Sequence, residues 1–247
     1  MQYKIYKLSI FLIIVFFTKI IFAQAYFDLS ENNIKIKTDF NGKEIIVFGI
    51  LNDEQETLIT IKGPEKKAVI NKKERILGFW FNTKKITYNK VPSIFFIASS
   101  AELEDILPTS TIIKQELSFD YLLENKLSKR NFISNSTLKN WKDNFIRIKK
   151  NKNLFKKYQI DKIENKLFQT RVFFPAESLP GEYKINVYQI KDNIIINMKE
   201  KTITLAKSGI GSKIYDFAHN NSAAYGLFAI IFAILSGFLA ASMFRRL

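Results

Sequence analysis

The chain contains no cysteine and a single histidine, His219. Without cysteine there is no disulfide framework, no thiolate zinc site, no iron–sulfur cluster and no thiol nucleophile. One imidazole cannot build a multi-histidine metal centre. Met198 is the only methionine between the two ends of the chain, which disfavours a thioether copper carrier. We therefore expect no cofactor, no metal and no enzymatic activity.

Apolar and basic residues are abundant instead. The 247 residues are 47% hydrophobic, and 38 Lys and Arg against 23 Asp and Glu give a formal net charge of +15. This length suits one domain or at most two, and the apolar content can fill a core. The excess charge therefore does not by itself indicate disorder.

The first 25 residues have the pattern of a secretory signal peptide. Lys4 and Lys7 precede an apolar run over residues 8–17, and Ala23 and Ala25 occupy both small positions of an A-x-A cleavage site. Lys19 shortens the run below the roughly 20 residues of a spanning helix. An uncleaved N-terminal anchor is the alternative.

Residues 223–244 form a stretch of 22 residues without a charge. At ~1.5 Å per residue this is a helix of about 33 Å, which matches a hydrocarbon core of about 30 Å. Arg245 and Arg246 follow at once, and positive residues stay on the cytoplasmic side. We expect a single-pass protein of the bacterial inner membrane, with residues 26–206 in the periplasm, a linker over 207–222 and a cytoplasmic tail over 245–247.

Small side chains recur every four residues in this stretch, at Ala229, Ala233, Gly237 and Ala241. Such a stripe lets another helix approach closely, so it is a candidate surface for helix packing. The alternative is that Ala and Gly are simply common in membrane helices.

The region before this stretch is rich in strand patterns. Short β-rich segments occupy residues 34–36, 44–50, 57–62, 76–81 and 94–97, and turn signals such as Gly63-Pro64 separate them. Strand character returns over residues 167–174, 183–190 and 194–206. The pattern predicts a mainly β fold, an immunoglobulin-like (Ig-like) antiparallel β-sandwich. Two separate β domains are the alternative.

Between these groups of strands, at about residues 103–158, we predict a helical insertion. Ile113, Leu117 and Tyr121 are spaced by four residues, which predicts one amphipathic helix. A second is predicted by the apolar stripe of Leu138, Trp141, Phe145 and Ile148.

The second predicted helix lies in a basic segment, residues 126–157, where eleven Lys and Arg face one acid, Asp143. A basic amphipathic helix with Trp on its apolar side can lie on anionic lipid headgroups. Nucleic acid could use the same charge, but the expected topology places the segment outside the cytoplasm. The alternative is that the stripe packs on the sandwich and the basic side chains are solvated. The candidate headgroup contacts are Lys139, Lys142, Arg147, Lys149 and Lys150.

Other side chains suggest chemistry only weakly. His219 lies four residues before the uncharged stretch, where a juxtamembrane polar residue is the simpler interpretation. Asp53, Glu54 and Glu56 do not follow the spacing of an EF-hand loop, so we expect a solvated turn rather than a calcium site. Trp80 could line a ligand groove, although packing in a strand is the more ordinary role.

Several loose motifs occur in a fixed order along the chain. They include Phe40-Asn41-Gly42, the segment from Arg75 to Asn82, Val91-Pro92-Ser93, Phe174-Pro175-Ala176, Pro180-Gly181, Tyr225-Gly226 and Phe244-Arg245-Arg246. Together they resemble the predicted transmembrane protein family of alphaproteobacteria, over nearly the whole mature chain. The resemblance implies a signal peptide, an envelope domain and a C-terminal span. It implies no biochemical activity.

Two functions are compatible with these features. The first is a single-span envelope protein whose periplasmic β-rich domain is a non-enzymatic binding or scaffolding module for another envelope or inner-membrane protein. The second is an accessory subunit of an inner-membrane transporter, anchored through its transmembrane helix. In both cases the partners are the lipid bilayer and a membrane component rather than nucleic acid. An envelope hydrolase using carboxylates alone is a weaker third hypothesis.

Overall fold

The structure, a computed structural model, describes residues 27–51, 55–124, 126–128, 135–164 and 166–245. The predicted signal peptide over residues 1–25 lies outside this part of the chain, as do Asp53, Glu54 and Arg246. The described chain is mainly β, as predicted. Its strands are β1 (Phe27–Leu29), β2 (Asn33–Ile36), β3 (Gly42–Ile50), β4 (Glu56–Lys62), β5 (Glu65–Ile76), β6 (Phe79–Pro92), β7 (Phe95–Ser99), β8 (Phe155–Gln159), β9 (Asp161–Ile163), β10 (Leu167–Pro175), β11 (Gly181–Lys191) and β12 (Ile194–Lys207). Its helices are α1 (Leu103–Ile106), α2 (Thr109–Lys114), α3 (Asn135–Asn151), α4 (Ile210–Asn220) and α5 (Ser222–Phe244).

Two sheets pack face to face around the main core. One has the strand order β1-β3-β10-β9 and the other β2-β12-β11-β4-β7-β8. Alternate side chains of both sheets meet between them, with Val47 and Phe174 from the first and Ile59, Tyr183 and Ile203 from the second fully buried. The pairing is antiparallel except between β2 and β12 and between β7 and β8. The Ig-like classification of this sandwich stays a prediction.

A second core covers the outer face of the six-stranded sheet. Because side chains alternate along a strand, Leu58 and Tyr188 point to this face while their neighbours fill the main core. Its centre is a group of four phenylalanine rings, with Phe155 at 5.5 to 6.1 Å from the rings of Phe119, Phe145 and Phe95. Helices α1 to α3 supply the covering layer, so the predicted helical insertion packs on the sheet rather than forming a separate unit.

Two details of the predicted insertion are wrong. The helix through Ile113, Leu117 and Tyr121 does not form, because α2 ends at Lys114 and Glu116 has a left-handed backbone conformation with φ of 50°. At the other end, residues 155–158 are not part of the insertion, since β8 pairs with β7 in the six-stranded sheet.

The strand predicted over residues 76–81 is interrupted, since Leu77 and Gly78 form the turn of a long β-hairpin between Ile76, the end of β5, and Phe79, the start of β6. Strands β5 and β6 pair from Glu65 with Pro92 to Ile76 with Phe79. The hairpin continues the β4–β7 ladder, because the Gly63 amide donates to the Ile94 carbonyl at 2.9 Å across the junction. We call this hairpin, residues 65–92, the ribbon.

Three connections lie at one end of the six-stranded sheet. The pairing places the end of β12 beside Gly181, Lys184 beside Lys62, and Phe95 beside both Lys62 and Phe155. At this end the chain leaves β4 for the ribbon, returns from α3 into β8, and leaves β12 for α4 and α5. The ribbon and the basic helix are therefore rooted beside the exit to the C-terminal helix.

Candidate functional site

Helix α5 is the feature that relates the domain to a membrane. The helix has 23 residues, and its most apolar window of 18 residues has a mean hydropathy of 2.4 and is not buried. It is the one described helix long and apolar enough to cross a bilayer. This confirms the span predicted over residues 223–244. Arg245 follows it directly.

The predicted helix-packing stripe lies on this exposed helix. Ala229, Ala233, Gly237 and Ala241 are all solvent-accessible along α5. A Cβ atom built on Gly237 has no atom within 4 Å, so a second helix could approach there. The structure brings the four residues onto one side of the helix, which is what their spacing predicts, and the stripe stays a prediction as a contact surface.

Helix α4 connects the domain to α5, and a cleft lies beside it. The cleft has a volume of about 1150 Å³ and is lined by Ile36 and Lys207 from the sheet and Tyr215 from α4. The His219 ring stacks on Tyr215 with centroids 3.9 Å apart, and its Nδ1 lies 2.9 Å from the Tyr215 carbonyl oxygen. These contacts lie within α4, which fits the juxtamembrane role expected for this histidine.

The apolar stripe of the basic helix α3 packs against the second core. Phe145 is buried, Leu138 and Trp141 are half-buried against the same cluster, and Ile148 at the end of the stripe is exposed. Ile146, which the stripe omits, is buried in its place. The interpretation that the stripe packs on the sandwich is thus confirmed for three of its four residues, and Ile148 is the one that stays exposed.

The five basic side chains proposed as headgroup contacts fall into two groups. Lys142 and Lys149 donate from Nζ to the carbonyl oxygens of Asp120 and Ser93, each at 3.0 Å, and Lys150 lies 5.3 Å above the Phe119 ring. Lys139 and Arg147 are exposed. Lys150 is also exposed despite its position above the ring, so Lys139, Arg147 and Lys150 keep the exposure that contact with an anionic surface would require. Such contact stays a prediction.

Lys149 has the most perturbed environment of these five. Its Nζ lies 5.6 Å from the Phe145 ring centroid and 5.5 Å from that of Phe155. Burial, with a smaller contribution from Lys152 and Lys66, lowers the pKa of Lys149 from 10.5 to about 8. The shift comes from packing in a structural layer and does not by itself indicate catalysis.

The turn of the ribbon is an exposed apolar surface. We call residues 76–81 the tip. Leu77 is 95% exposed, Phe79 71% and Trp80 68%, and Ile76 and Phe81 are also exposed. Contiguous apolar surface of this kind marks interaction sites on soluble domains. Trp80 is therefore presented to the surroundings, and packing against the core does not explain it. A ligand groove at Trp80 stays a prediction.

Basic side chains surround the tip. Lys72, Lys73, Arg75, Lys84 and Lys85, which we call the basic collar, are exposed on the two strands behind it. Glu74 is the one acid among residues 71–85, and its Oε1 forms an ion pair with Nζ of Lys72 at 2.7 Å. Sequence reasoning overlooked this surface because it took residues 76–81 for one strand. The signal available was the Leu77-Gly78 turn between two polar, lysine-rich segments.

Within the described residues, no three His, Asp or Glu side chains are grouped so as to hold a metal ion. Glu56 is the member of the predicted acidic turn that the structure describes. Its Oε1 forms an ion pair with Nζ of Lys162 at 2.8 Å. Met198 is 48% exposed on β12.

A β-rich domain followed by one candidate membrane-spanning helix is the architecture of a single-pass membrane protein. Residues 24–246 match the model of the family described as "Putative transmembrane protein (Alph_Pro_TM)". The chain belongs to this alphaproteobacterial family, which confirms the resemblance found in its motifs. No curated protein and no solved structure gave a match to the chain.

Proposed function

We propose that the chain is a non-enzymatic binding module of the cell envelope, anchored in the inner membrane by α5 with its β-rich domain in the periplasm. Arg245 and Arg246 at the end of the span support this orientation, because basic residues are retained on the cytoplasmic side. The signal-peptide pattern of residues 1–25 independently supports export of the domain.

The observation that carries the binding role is the exposed tip of the ribbon. Ribbon side chains near the sheet, such as Ile86 and Tyr88, are buried in the second core. The tip contributes nothing to that core, yet it exposes Leu77, Phe79 and Trp80 together. Exposure of large apolar side chains has no stabilising value for the folded domain, so the tip is best explained by a binding partner.

A photo-crosslinking amino acid at position 79 of the full chain in cells tests this role. We expect an adduct with a membrane component, and a matched probe at exposed Glu177, in the turn after β10, should give none. A tip that forms no adduct of any kind in the membrane would contradict the proposed function. Protection of the domain from protease in spheroplasts would contradict the orientation.

The accessory-subunit role is a second proposal, favoured by the open stripe on α5. In that case the helix packs along Ala229, Ala233, Gly237 and Ala241 against a permease, and the β-rich domain lies above it.

A further inference from the structure

We propose that the tip of the ribbon inserts into the interfacial layer of an anionic phospholipid bilayer, the same bilayer that α5 crosses. This inference rests on the proposed binding role of the tip and names its partner. It would give the domain a second attachment to the membrane, formed by a β-turn rather than by a helix.

The apex of the turn places an apolar side chain where the backbone disfavours it. Leu77 has φ of 50° and Gly78 has φ of 89°, so both central residues of this two-residue turn are in positive-φ conformations. Turns of this type favour Asn-Gly or Asp-Gly, because a bulky side chain is strained at positive φ. Here the first position is leucine, and its side chain is almost fully exposed. The backbone strain and the exposure of the Leu77 side chain would both be offset if its isobutyl group had an apolar environment outside the chain.

Both faces of the ribbon are apolar at the tip. Residues paired across two strands lie on one face, so Ile76 and Phe79 share a face and Trp80 lies on the opposite one with Arg75. A protein groove typically receives one face of a strand or hairpin. A bilayer surrounds an inserted turn on all sides, so apolar residues on both faces and at the apex favour a lipid environment over a groove.

The basic collar lies at the depth that phosphate groups would occupy. Arg75 is two residues from the apex and Lys72 five, which corresponds to about 7 to 16 Å along the strand at ~3.3 Å per residue. Lys and Arg next to an inserted apolar segment bind anionic headgroups, and tryptophan favours this interfacial layer. The ribbon as a whole has eight basic and two acidic residues. Its charge is therefore complementary to an anionic membrane surface.

The ribbon can reach the surface from its root. The last pair that packs on the second core is Ile70 with Ile86, and six residues separate Ile70 from Leu77. The distal part therefore extends about 20 Å beyond that pair. Its root is at the end of the sheet from which the chain leaves for α5, and an anchored domain samples the adjacent bilayer at high effective concentration.

Fluorescence of the full chain in lipid nanodiscs tests the inference. Trp141→Phe leaves Trp80 as the only tryptophan, since the chain has two. Because α5 anchors every molecule, quenching by brominated acyl chains reports insertion of the tip rather than recruitment to the membrane. We expect Trp80 quenching of about twofold in discs containing phosphatidylglycerol, and much less with phosphatidylcholine alone. A fluorophore on Phe79→Cys is a second reporter that keeps both tryptophans, and the absence of other cysteines makes its labelling unique.

Leu77→Asn separates insertion from folding. It creates the Asn-Gly sequence that this turn prefers, so the ribbon should keep its stability while quenching of Trp80 falls. Val69→Ser is the matched control, because Val69 is 47% exposed on the same ribbon but far from the tip, and it should leave quenching unchanged.

Three results would contradict the inference or part of it. Trp80 that stays accessible to acrylamide and unquenched by brominated lipid in both kinds of disc excludes insertion. Unchanged quenching in Leu77→Asn excludes the role of the apex. A protein adduct at position 79 in cells without lipid quenching would overturn the lipid partner and leave the proposed binding role intact, whereas no adduct and no quenching would overturn both.

Discussion

The strongest test of the packing of α3 is the titration of Lys149. The structure places its amine against two phenylalanine rings and the Ser93 carbonyl, whereas the headgroup hypothesis would place it in water at a lipid surface. The first environment lowers the pKa of Lys149 to about 8. A solvated lysine keeps a pKa near ~10.4. The pH dependence of stability therefore distinguishes the two environments.

The direction in which the free energy of unfolding changes with pH follows from the number of protons that each state binds. Below pH 8 the amine is protonated in both the folded and the unfolded chain, and the cost of burying its charge is fully present. Between about pH 8 and 10.5 the folded chain releases this proton while the unfolded chain retains it, so the free energy of unfolding rises with pH. The full lowering of the Lys149 pKa would correspond to about 3 kcal/mol of unfolding free energy, at ~1.36 kcal/mol per pKa unit. Lys149 is only half-buried, so solvent screening lowers the expected gain to about 1 to 2 kcal/mol.

Unfolding of the full chain in detergent, measured by circular dichroism between pH 7 and 9.5 for the parent, Lys149→Met and Lys150→Met, checks this expectation. This window stays below the ordinary tyrosine pKa of ~10. Lys150 is exposed and serves as the matched control. The rise should persist in Lys150→Met and become smaller in Lys149→Met, where burial of Lys62, which also lowers the pKa of that lysine, still contributes. Equal rises in all three proteins would refute the packed position of Lys149.

Three further expectations concern the domain and its anchor. Burial raises the pKa of Tyr183 to about 12, and its hydroxyl donates to the Leu179 carbonyl at 2.7 Å, so Tyr183→Phe should cost about 1 kcal/mol at pH 7 and reduce the loss of stability above pH 10, measured by denaturant unfolding. A Cβ at Gly63 would lie 2.7 Å from Cε1 of Tyr183, so Gly63→Ala should lower the free energy of unfolding by about 1 to 3 kcal/mol, whereas Gly211→Ala, with open space around it, should not. If α5 packs on a permease, Gly237→Leu should abolish co-purification while Ala224→Leu on the opposite side of the helix should not; equal recovery would contradict the accessory role.

The strands and the membrane helix were largely predictable from local pattern. Strands β11 and β12 alternate in hydrophobicity and flank the turn signal Lys191-Asp192-Asn193, and the structure gives Asp192 and Asn193 φ values of 51° and 62°. Both residue types tolerate this left-handed conformation. The span over residues 223–244 needed only length and the absence of charge.

The elements that local sequence pattern did not predict form through contacts between residues far apart in the sequence. Strand β8 follows a basic helix and has basic residues at Lys156 and Lys157, so its sequence lacks a clear strand pattern. It forms because Phe155 fills the aromatic group of the second core and its backbone pairs with β7, some 60 residues earlier. The ribbon escaped detection because β5 is mostly polar and both of its faces are exposed beyond Ile70, which removes the alternation that indicates a half-buried strand.

The position of the ribbon also changes the meaning of the charge. Residues 26–222 carry 33 basic and 23 acidic side chains, and the basic segment alone, with eleven against one, equals their whole excess. The sequence therefore suggests a neutral body with one basic insertion. The ribbon adds eight basic residues against two acids, which leaves the rest of the domain with 14 basic and 20 acidic residues.

The two basic elements belong to one layer of the molecule. Tyr88 of the ribbon packs on Phe145 of α3 with ring centroids 6.1 Å apart, and both elements are rooted where the chain leaves for α5. The basic residues of α3 and of the ribbon thus belong to elements that pack on the outer side of the six-stranded sheet. Positive charge gathered on one layer favours the approach of that layer to an anionic surface. The ribbon belongs to this layer through Ile70, Ile86 and Tyr88, so its basic collar adds to the same attraction that would bring the apolar apex to the membrane.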